Sequence, residues 1–379
     1  MKPLRLLLLS TPVGPLGSGM GGGVELTVAN LAKVLSRRGH QVAIVTPAGA
    51  TPQALGLQPV DADIIQVQGS LQTAAQTQSR SAPVVTSEVL ANAWAYARRH
   101  QSQYDLLVSF AYDWLPFFLT PLLSRPVTHF VSMGSLSDCL DRSIADVALQ
   151  FPGTLGVYTQ AQADTFCFSF PAEWEIVGCG LDIRKYDYCA RPDNFLAWVG
   201  RISPEKGLED AIAAATIARI PLNIFGKLED IDYWQRLQPQ IASANKAGVP
   251  IEYGGFLPTD QLQKRLRRSQ ALLVTPHWVE AFGIVAVEAL ACGVPVVAYK
   301  CGGPAEIVQA GKTGWLVAPG DVVELVNAIA KINQLDRADC RAQAEELYAL
   351  SAWAERCEQW FYRIVDSQSK RRMHDRPYA

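Results

Sequence analysis

The fold is decided by the stretch Pro276-His-Trp-Val-Glu280-Ala-Phe-Gly283-Ile-Val-Ala-Val-Glu288-Ala-Leu-Ala-Cys-Gly293-Val-Pro295, which follows the apolar run 271–274. The apolar run predicts a buried strand, and the segment 284–292 predicts a helix that is closed by Gly293. Glu280 then lies in the loop between strand and helix. Glu288 lies about one turn into the helix, roughly on the face of Ile284.

The predicted start of this helix offers unpaired N–H groups at Phe282, Gly283 and Ile284. These groups and the helix dipole favour an anion or a polar oxygen, and Gly283 permits close approach. A loop carboxylate such as Glu280 can accept hydrogen bonds from sugar hydroxyls, and the deeper Glu288 can accept them from a ribose diol. Two carboxylates alone are usually solvated charges, but the strand, glycine turn and helix around this pair indicate a binding site.

Two further segments combine glycine with charge. The first is Gly200-Arg201-Ile-Ser-Pro-Glu-Lys206-Gly207, in which the planar Arg201 and the point charge of Lys206 suit the oxygens of a diphosphate leaving group without a metal. The second is Gly302-Gly303-Pro304-Ala-Glu306, in which we expect the glycines to let the loop approach a ligand and Pro304 to begin a helix. Taken alone, each segment also fits an ordinary turn.

Apolar runs alternate with amphipathic segments along the whole chain, which is typical of doubly wound parallel sheets. The predicted strands are 4–9, 41–46, 106–110, 127–131, 155–159, 195–199, 222–225, 251–253, 271–274 and 294–298. The predicted helices include 24–38, 207–218, 231–242, 284–292 and 351–365. We therefore expect two Rossmann-like domains, 1–183 and 184–350. A C-terminal helix and tail, 351–379, should pack back on the first domain.

Composition narrows the function classes. A length of 379 residues suggests two domains, and a net charge of −2 gives no sign of a nucleic-acid partner. Eight scattered cysteines without a CxxC pair favour a reducing compartment, so we expect a cytoplasmic protein. No run of about 18 apolar residues predicts a membrane span, and the N-terminal apolar run is better explained as a strand than as a signal peptide.

The three motif segments, in this order, resemble the donor half of glycosyltransferase family four, a retaining family with the GT-B fold. The E-x₇-E, G-R-x₄-K-G and G-G-x-x-E elements are matched by the segments quoted above. The resemblance implies two Rossmann-like domains facing a central cleft and a nucleotide-sugar donor. Glu280 would contact the hexose and Glu288 the ribose. The catalytic and donor-binding residues it implies in this half are Gly200, Arg201, Lys206, Glu280, Phe282, Gly283, Ile284 and Glu288. His277 replaces a usually small residue and either touches the donor or is packed in the loop.

A glycine-rich loop, Gly14-Pro-Leu-Gly17-Ser-Gly19-Met-Gly21-Gly22-Gly23-Val-Glu25, follows the first predicted strand. No acidic residue follows the second strand to hold a ribose, so the loop is weak evidence for a dinucleotide site. Glu25 complements the dipole of the next helix. The family resemblance instead implies that Gly22 and Gly23 face the donor across the cleft, and the glycines permit a mobile lid.

The segment Phe110-Ala-Tyr112-Asp113-Trp114 resembles the family's H-x-H-D-W element without its histidines. We expect Tyr112, Asp113, Trp114 and Gly17 to bind the acceptor, Asp113 to assist catalysis, and some of the aromatics, which also include Phe117 and Phe118, to be core. His129, in the middle of a strand, is expected to be a core histidine. The opening loop, 110–116 and 132–136 are similar to cyanobacterial glucosyltransferases that use UDP-glucose and tetrahydrobiopterin, which implies a pteridine acceptor suited to stacking.

The sequence thus predicts a metal-independent, retaining transferase without a cofactor that moves glucose from UDP-glucose to a small acceptor. A sugar or lipid acceptor, a phosphorylase on the same scaffold, and a sugar-nucleotide-binding protein without catalysis remain open. The segment Asp61-Ala-Asp63 matches the D-x-D sequence pattern of metal-dependent transferases. Because it lies outside the motif segments, we expect a solvated turn there.

Overall fold

The computed structural model describes residues 2–72 and 85–374, with side chains described as far as residue 367. The chain divides into two compact units. The N-terminal unit comprises Met1–Gly180 together with Leu350–Ala379, and the C-terminal unit comprises Leu181–Ala349. The last five residues of the expected tail, 375–379, lie outside the described part of the chain.

The N-terminal unit is built on a seven-stranded sheet of order β3-β2-β1-β4-β5-β6-β7, in which every neighbouring pair is parallel. Its strands are β1 Arg5–Leu9, β2 Gln41–Pro47, β3 Asp63–Val67, β4 Leu106–Ser109, β5 Val127–Phe130, β6 Leu155–Val157 and β7 Trp174–Ile176. The central strand β1 is a leucine run that is buried on both faces, as parallel sheets covered by helices require. The strand order reverses between β1 and β4, so the loops that follow these two strands open at the same switch point.

The helices of this unit are α1 Gly23–Arg37, α2 Glu88–His100, α3 Trp114–Leu119, α4 Asp138–Gln150 and α5 Gln160–Ala163. Helix α1 begins after Gly22 and is followed by Gly39, whose φ of 95° needs a residue without a Cβ. Helix α3 begins at an Asp113 cap, and α2 begins at a Ser87 cap.

The C-terminal unit repeats the same topology with a six-stranded sheet of order β10-β9-β8-β11-β12-β13. Its strands are β8 Leu196–Val199, β9 Leu222–Phe225, β10 Ile251–Tyr253, β11 Leu272–Val274, β12 Val296–Tyr299 and β13 Gly314–Val317. All neighbouring strands are parallel, and the order reverses between β8 and β11. The loops after β8, β11 and β12 therefore emerge side by side at one edge of the sheet.

The helices of the C-terminal unit are α6 Leu208–Ala218, α7 Ile231–Lys246, α8 Thr259–Leu266, α9 Ile284–Ala291, α10 Pro304–Ile307, α11 Val322–Ile329 and α12 Arg337–Gln343. Helix α9 is apolar and buried along most of its length, because it packs between the sheet and α12. Pro304 occupies the first turn of α10, where its missing N–H has no helical partner to lose.

The last helix, α13 Leu350–His374, returns to the N-terminal unit and completes its core. Trp353, Trp360 and Phe361 are fully buried against strands of that unit. Trp360 also donates a hydrogen bond of 2.7 Å from Nε1 to the Gly153 carbonyl. Gly156 allows this packing, since a methyl group there would lie 2.5 Å from the Trp360 ring.

None of the helices in the described part of the chain is both long enough and apolar enough to span a membrane.

The predicted fold class is confirmed, and the predicted strands end within two residues of the observed ones. Three edge strands, β3, β7 and β13, were not predicted. The turn expected at Asp61 is present, but it is not solvated there, because Asp61 is buried and its Oδ2 accepts a hydrogen bond of 2.8 Å from the Gln58 backbone N–H. Asp63 is the exposed first residue of β3.

We expect Trp360→Ala to lower the free energy of unfolding by about 3–5 kcal/mol, because it opens a cavity under α13 and removes the bond to Gly153. Chemical denaturation followed by circular dichroism measures this change. Leu149→Ala is the control, because Leu149 is 65% exposed in the same unit and should change stability by less than about 0.5 kcal/mol. A Trp360→Ala change as small as the control would mean that α13 does not support the core.

Candidate active site

The candidate active site lies at the switch point of the C-terminal sheet. The segment 200–207 follows β8, the segment 275–283 follows β11, and the segment 300–303 follows β12. Because these strands are parallel neighbours, all three predicted motifs meet at one sheet edge.

Lys206 and Glu280 form an ion pair that joins the first two motifs. Both side chains are less than one-fifth exposed, at 18% and 19%. Trp278 completes the cluster: its Nε1 donates to Oε2 of Glu280 at 3.2 Å, and the Lys206 ammonium lies 5.0 Å from the centre of its ring. The pair, partly withdrawn from water, holds one positive and one negative group ready for polar atoms of a ligand.

The glycines of the third motif hold Glu280 in place. The Gly303 N–H donates to the Glu280 carbonyl at 2.7 Å. A methyl group on Gly302 would lie 2.3 Å from the same carbonyl oxygen, and one on Gly303 would lie 2.0 Å from the Phe282 carbonyl oxygen. These glycines are therefore required by the approach of two loops to each other, and the expectation that they also let the loop approach a ligand stays a prediction.

Gly207 has the corresponding role on the other side of the site. Its φ of 61° lies in the left-handed region, and a methyl group there would lie 2.0 Å from the Thr275 carbonyl oxygen. Thr275 also donates a hydrogen bond of 2.7 Å to the Gly207 carbonyl. The loop that carries Lys206 is therefore locked to the loop that carries Glu280.

Glu288 lies deeper, on the first turns of α9. The helix begins after Gly283, which adopts a φ of 88°, and Ile284 is its first residue. Glu288 is only 9% exposed and accepts a hydrogen bond of 2.6 Å from the Tyr186 hydroxyl. Burial raises the pKa of Glu288, and the hydrogen bond from Tyr186 opposes this shift only in part. The site thus contains a desolvated carboxyl group with one oxygen already positioned.

Arg201 is placed at this edge of the sheet, but it has acidic partners that the sequence did not predict. Its Nη2 lies 2.9 Å from Oε1 of Glu205, and its Nη1 contacts Glu229. With Lys206 and Glu280, the site has two cations facing three carboxylates. An incoming diphosphate must therefore share or replace these partners.

His277 is held within the loop that follows β11. Its Nε2 lies 2.9 Å from Oδ2 of Asp210, and the Tyr299 hydroxyl donates to the same oxygen at 2.6 Å. The ring also packs against Gly207. These contacts hold His277 in the loop and leave its side chain 37% exposed, and its contact with the donor stays a prediction.

In the N-terminal unit, the glycine-rich loop divides into two parts. The Gly17 N–H donates to Glu25 at 2.7 Å, and the Gly17 Cα lies against the Thr51 backbone. This N–H is therefore not available to the acceptor substrate that was assigned to Gly17. Gly22 and Gly23 differ, because a methyl group on either would meet no atom within 4 Å. The two glycines assigned to the donor are exposed, and so is Gly19, whose N–H is taken by Glu25.

Asp113 caps α3 and is fully buried. Its Oδ1 accepts from the Leu115 N–H at 2.9 Å and from the Thr86 hydroxyl at 3.0 Å, while its Oδ2 accepts from Gln72 at 2.9 Å. Burial raises its pKa, and these hydrogen bonds oppose the shift. Both carboxylate oxygens are committed to holding the loop, so the geometry accounts for Asp113 without a role in proton transfer.

The aromatic residues after β4 are partly core and partly surface. Phe110 and Phe117 are buried, whereas Phe118 is exposed and Trp114, which meets it edge to face at 5.6 Å, is half-buried. The half-buried Tyr112 donates a hydrogen bond of 2.7 Å to the Gly134 carbonyl, which ties the loop after β4 to the loop after β5.

His129 is a core histidine, as the sequence predicted. It is buried in β5, stacks on Phe117 at 4.4 Å and has Nε2 at 2.9 Å from the Thr120 hydroxyl. Burial lowers the pKa of His129 to about 3, so the ring stays neutral at physiological pH.

Sequence reasoning missed several partners, namely Tyr186, Glu205, Glu229 and the indole of Trp278. Trp278 lies inside the decisive motif and carries a recognisable signal, since an indole N–H two residues from a carboxylate can reach it. Tyr186 lies 102 positions from Glu288, and no local pattern connects them.

In the described residues, no group of three His, Cys, Asp or Glu side chains is arranged to hold a metal ion.

We expect Glu288→Gln to raise the free energy of unfolding at pH 8 by about 1–3 kcal/mol, because the amide fills the same space without a buried charge. Because the pKa of Glu288 is raised in the folded state, the wild-type protein loses stability as the pH rises from the ordinary carboxyl pKa of 4.5 through the folded-state pKa. The gain in the variant should therefore shrink toward pH 4.5. Thermal melts from pH 4.5 to 8 measure it.

The matched control is Glu252→Gln, because Glu252 is an exposed residue of β10 in the same unit. This exposed substitution should change the free energy of unfolding by less than about 0.5 kcal/mol in the same melts. If the Glu288→Gln difference did not change with pH, the carboxyl group would not be titrating from a desolvated position.

Two family models match the chain. The model described as "Glycosyl transferases group 1" matches residues 189–347, and the model described as "Glycosyltransferase Family 4" matches residues 21–131. The first match contains all three motifs of the candidate site. The second contains the glycine-rich loop and the segment 110–114.

Curated relatives and solved structures agree with these matches. The chain is 34% identical to a glycogen synthase of Mycobacterium tuberculosis over 42% of its own length and 40% of that enzyme's length. It is 28% identical to D-inositol 3-phosphate glycosyltransferase 2 of Catenulispora acidiphila, over 86% of each chain.

Anabaena HepE in complex with UDP and glucose shares the fold with a TM-score of 0.71 and 20% identity, over 94% of this chain and 98% of HepE. Sucrose-phosphate synthase of Thermosynechococcus elongatus matches with a TM-score of 0.74 and 20% identity, over 96% of this chain and all of that one. This likeness shows that the chain has the GT-B fold of these enzymes, and the two family models that match its N-terminal and C-terminal parts are both glycosyltransferase models.

Proposed function

We propose that this chain is a retaining, metal-independent glucosyltransferase that uses UDP-glucose and a pteridine acceptor such as tetrahydrobiopterin. The observation that carries the proposal is the cluster of Lys206, Glu280 and Trp278 at the switch point of the C-terminal sheet. Structural relatives with this fold bind UDP and glucose, which supports the choice of donor. None of the eight cysteines, all of which lie in the described residues, forms a disulfide, which supports the proposal of a cytoplasmic enzyme.

In the proposed reaction, the acceptor hydroxyl attacks the anomeric carbon on the face from which UDP departs. Glu280 accepts hydrogen bonds from the hexose hydroxyls and orients the ring. Lys206, Arg201 and the amides that open α9 stabilise the charge that grows on the departing phosphate. A phosphate oxygen of the leaving group takes the acceptor proton, so no basic side chain is required.

Glu288 is proposed to hold the ribose. Its Oε1 accepts from Tyr186, and the second oxygen accepts from a ribose hydroxyl. The binding of a hydroxyl repays part of the cost of burying this carboxyl group. The stability lost at Glu288 is thus a cost of nucleotide recognition.

The acceptor proposal relies on the aromatic surface after β4. Trp114 and Phe118 keep ring area exposed, and Tyr112 keeps its ring half-exposed while its hydroxyl is fixed to Gly134. Flat rings that are fixed in orientation suit stacking on a planar bicyclic acceptor. A sugar acceptor would instead need several hydrogen-bonding side chains on this surface.

The direct test is turnover with UDP-glucose and EDTA against tetrahydrobiopterin, myo-inositol phosphate and simple sugars. We expect release of UDP and an α-glucoside of the pterin, with the small anomeric coupling constant of an α linkage in the proton spectrum. UDP binding without product from any acceptor would favour a binding protein. Phosphate-dependent release of glucose phosphate would favour a phosphorylase, and a β product would overturn the retaining mechanism.

We expect Glu280→Gln to lower kcat by about 10²-fold or more while changing UDP affinity little, because it removes the charge that orients the hexose and pairs with Lys206. Coupled assays of UDP release and calorimetry with UDP separate these effects. Glu252→Gln, an exposed carboxylate of the same unit, should keep wild-type kcat. Equal kcat in the two variants would remove Glu280 from the proposed mechanism.

We expect Trp114→Ala to raise KM for tetrahydrobiopterin about 3–10-fold, which corresponds to the loss of one stacking contact of about 0.5–1.5 kcal/mol. KM for UDP-glucose should stay unchanged, because Trp114 belongs to the other unit. Leu122→Ala provides the control, since Leu122 is a 63%-exposed apolar side chain of the same region. A KM for the pterin that does not move would show that Trp114 does not bind it.

A further inference from the structure

The glycine-rich loop of the N-terminal unit is folded around a carboxylate of its own chain. Oε2 of Glu25 accepts from the N–H groups of Gly17 at 2.7 Å and of Gly19 at 3.1 Å. Oε1 accepts from the Gly21 N–H at 2.5 Å and from the Ser18 hydroxyl at 3.2 Å. Glu25 is only 1% exposed, although it lies on the first turn of α1.

The glycines are needed for this arrangement. Gly17 and Gly19 have φ values of 91° and 79°, so alternate N–H groups turn toward a common centre. A methyl group on Gly21 would lie 2.5 Å from Thr11 and 2.9 Å from Cγ of Glu25. Backbone concavities of this kind bind anions, and here the anion is part of the chain.

The conformation of the loop therefore depends on one side chain. Each hydrogen bond from a backbone N–H to the carboxylate is charge-assisted, and the dipole of α1 adds to the attraction. If the carboxylate were absent, three converging N–H groups would lose their partner at once. The glycines that make the loop adaptable would then let it rearrange.

The same contacts decide which part of the loop is open to a ligand. The N–H groups of Gly17, Gly19 and Gly21 are taken by Glu25. Gly22 and Gly23 follow directly and have open space at Cα, and the Gly22 N–H makes a long bond of 3.3 Å to the Gly19 carbonyl. We propose that Glu25 is a positioning residue for glycosyl transfer, which fixes the segment 17–21 and thereby sets the place of Gly22 and Gly23. This inference rests on the proposed function.

The test uses Glu25→Ala, which removes Cγ and the carboxylate, the heavy atoms of one acetate ion. We expect kcat with UDP-glucose to fall by on the order of 10²-fold, as misplacement of a positioning element does. Sodium acetate should restore kcat in part, whereas acetamide, its neutral isostere, and sodium chloride at equal ionic strength should not. Acetate should also raise the Tm of this variant.

Glu88→Ala is the matched control, because Glu88 also lies in the first turn of a helix of this unit but is exposed. Among the described residues, it accepts one backbone hydrogen bond, from the Ser70 N–H. It should keep its kcat and show no response to acetate. Equal effects of acetate and acetamide on Glu25→Ala would overturn the proposal. So would a variant that loses Tm but keeps wild-type kcat, since that is the result of a purely structural role.

Two further measurements keep the outcome decisive. If Glu25→Ala does not fold, Glu25→Gln replaces it, because glutamine has the same volume but turns an amide NH₂ toward the loop. The kcat of this variant should fall, and acetate should not restore it. A wild-type kcat would overturn the proposal. If the wild type shows no turnover, the proposed function fails and the reaction role of Glu25 fails with it. The acetate-dependent Tm of Glu25→Ala still decides whether the carboxylate organises the loop.

Discussion

Contact between backbones at three glycines is the constraint on which the candidate site depends. Gly302 and Gly303 let the loop after β12 touch the backbone of Glu280, and Gly207 lets the loop after β8 touch the backbone of Thr275. Any side chain at these positions would force the three loops apart. The Lys206–Glu280 pair forms only because the loops are this close, so the chemistry of the site follows from missing side chains as much as from charged ones.

The charged side chains of the site are partly buried and pair with each other. Arg201 and Lys206 face carboxylates of Glu205, Glu229 and Glu280. Glu288 is buried with the Tyr186 hydroxyl as its hydrogen-bond donor. Partly buried charges that are paired in this way cost stability, and the diphosphate of the proposed donor has to share or replace the carboxylate partners when it binds. It is the kind of local conflict that is expected at functional sites.

The sequence was sufficient to predict the two parallel sheets and the three motif loops, because buried runs such as Leu6–Leu9 and glycine helix stops such as Gly39 and Gly293 are local signals. It was also sufficient to place His129 in the core. The edge strands β3, β7 and β13 escaped prediction because they are short or half-exposed, so their apolar pattern is weak. The pairings of Arg201 with Glu229 and of Glu288 with Tyr186 depend on tertiary approach, which no local pattern contains.

The two glycine-containing regions show why such motifs are ambiguous in a sequence. A turn of glycines offers converging N–H groups, and those groups bind whichever anion is within reach. In the loop 14–23 these N–H groups are occupied by Glu25, which lies four residues after Gly21 on the first turn of the next helix. In the segment 200–207 the charged groups are side chains, and its glycines serve loop packing. A glycine loop that is followed at this spacing by a helical glutamate is therefore better interpreted first as filled by its own chain. Only the glycines beyond the reach of that carboxylate are then candidates for contact with a phosphate.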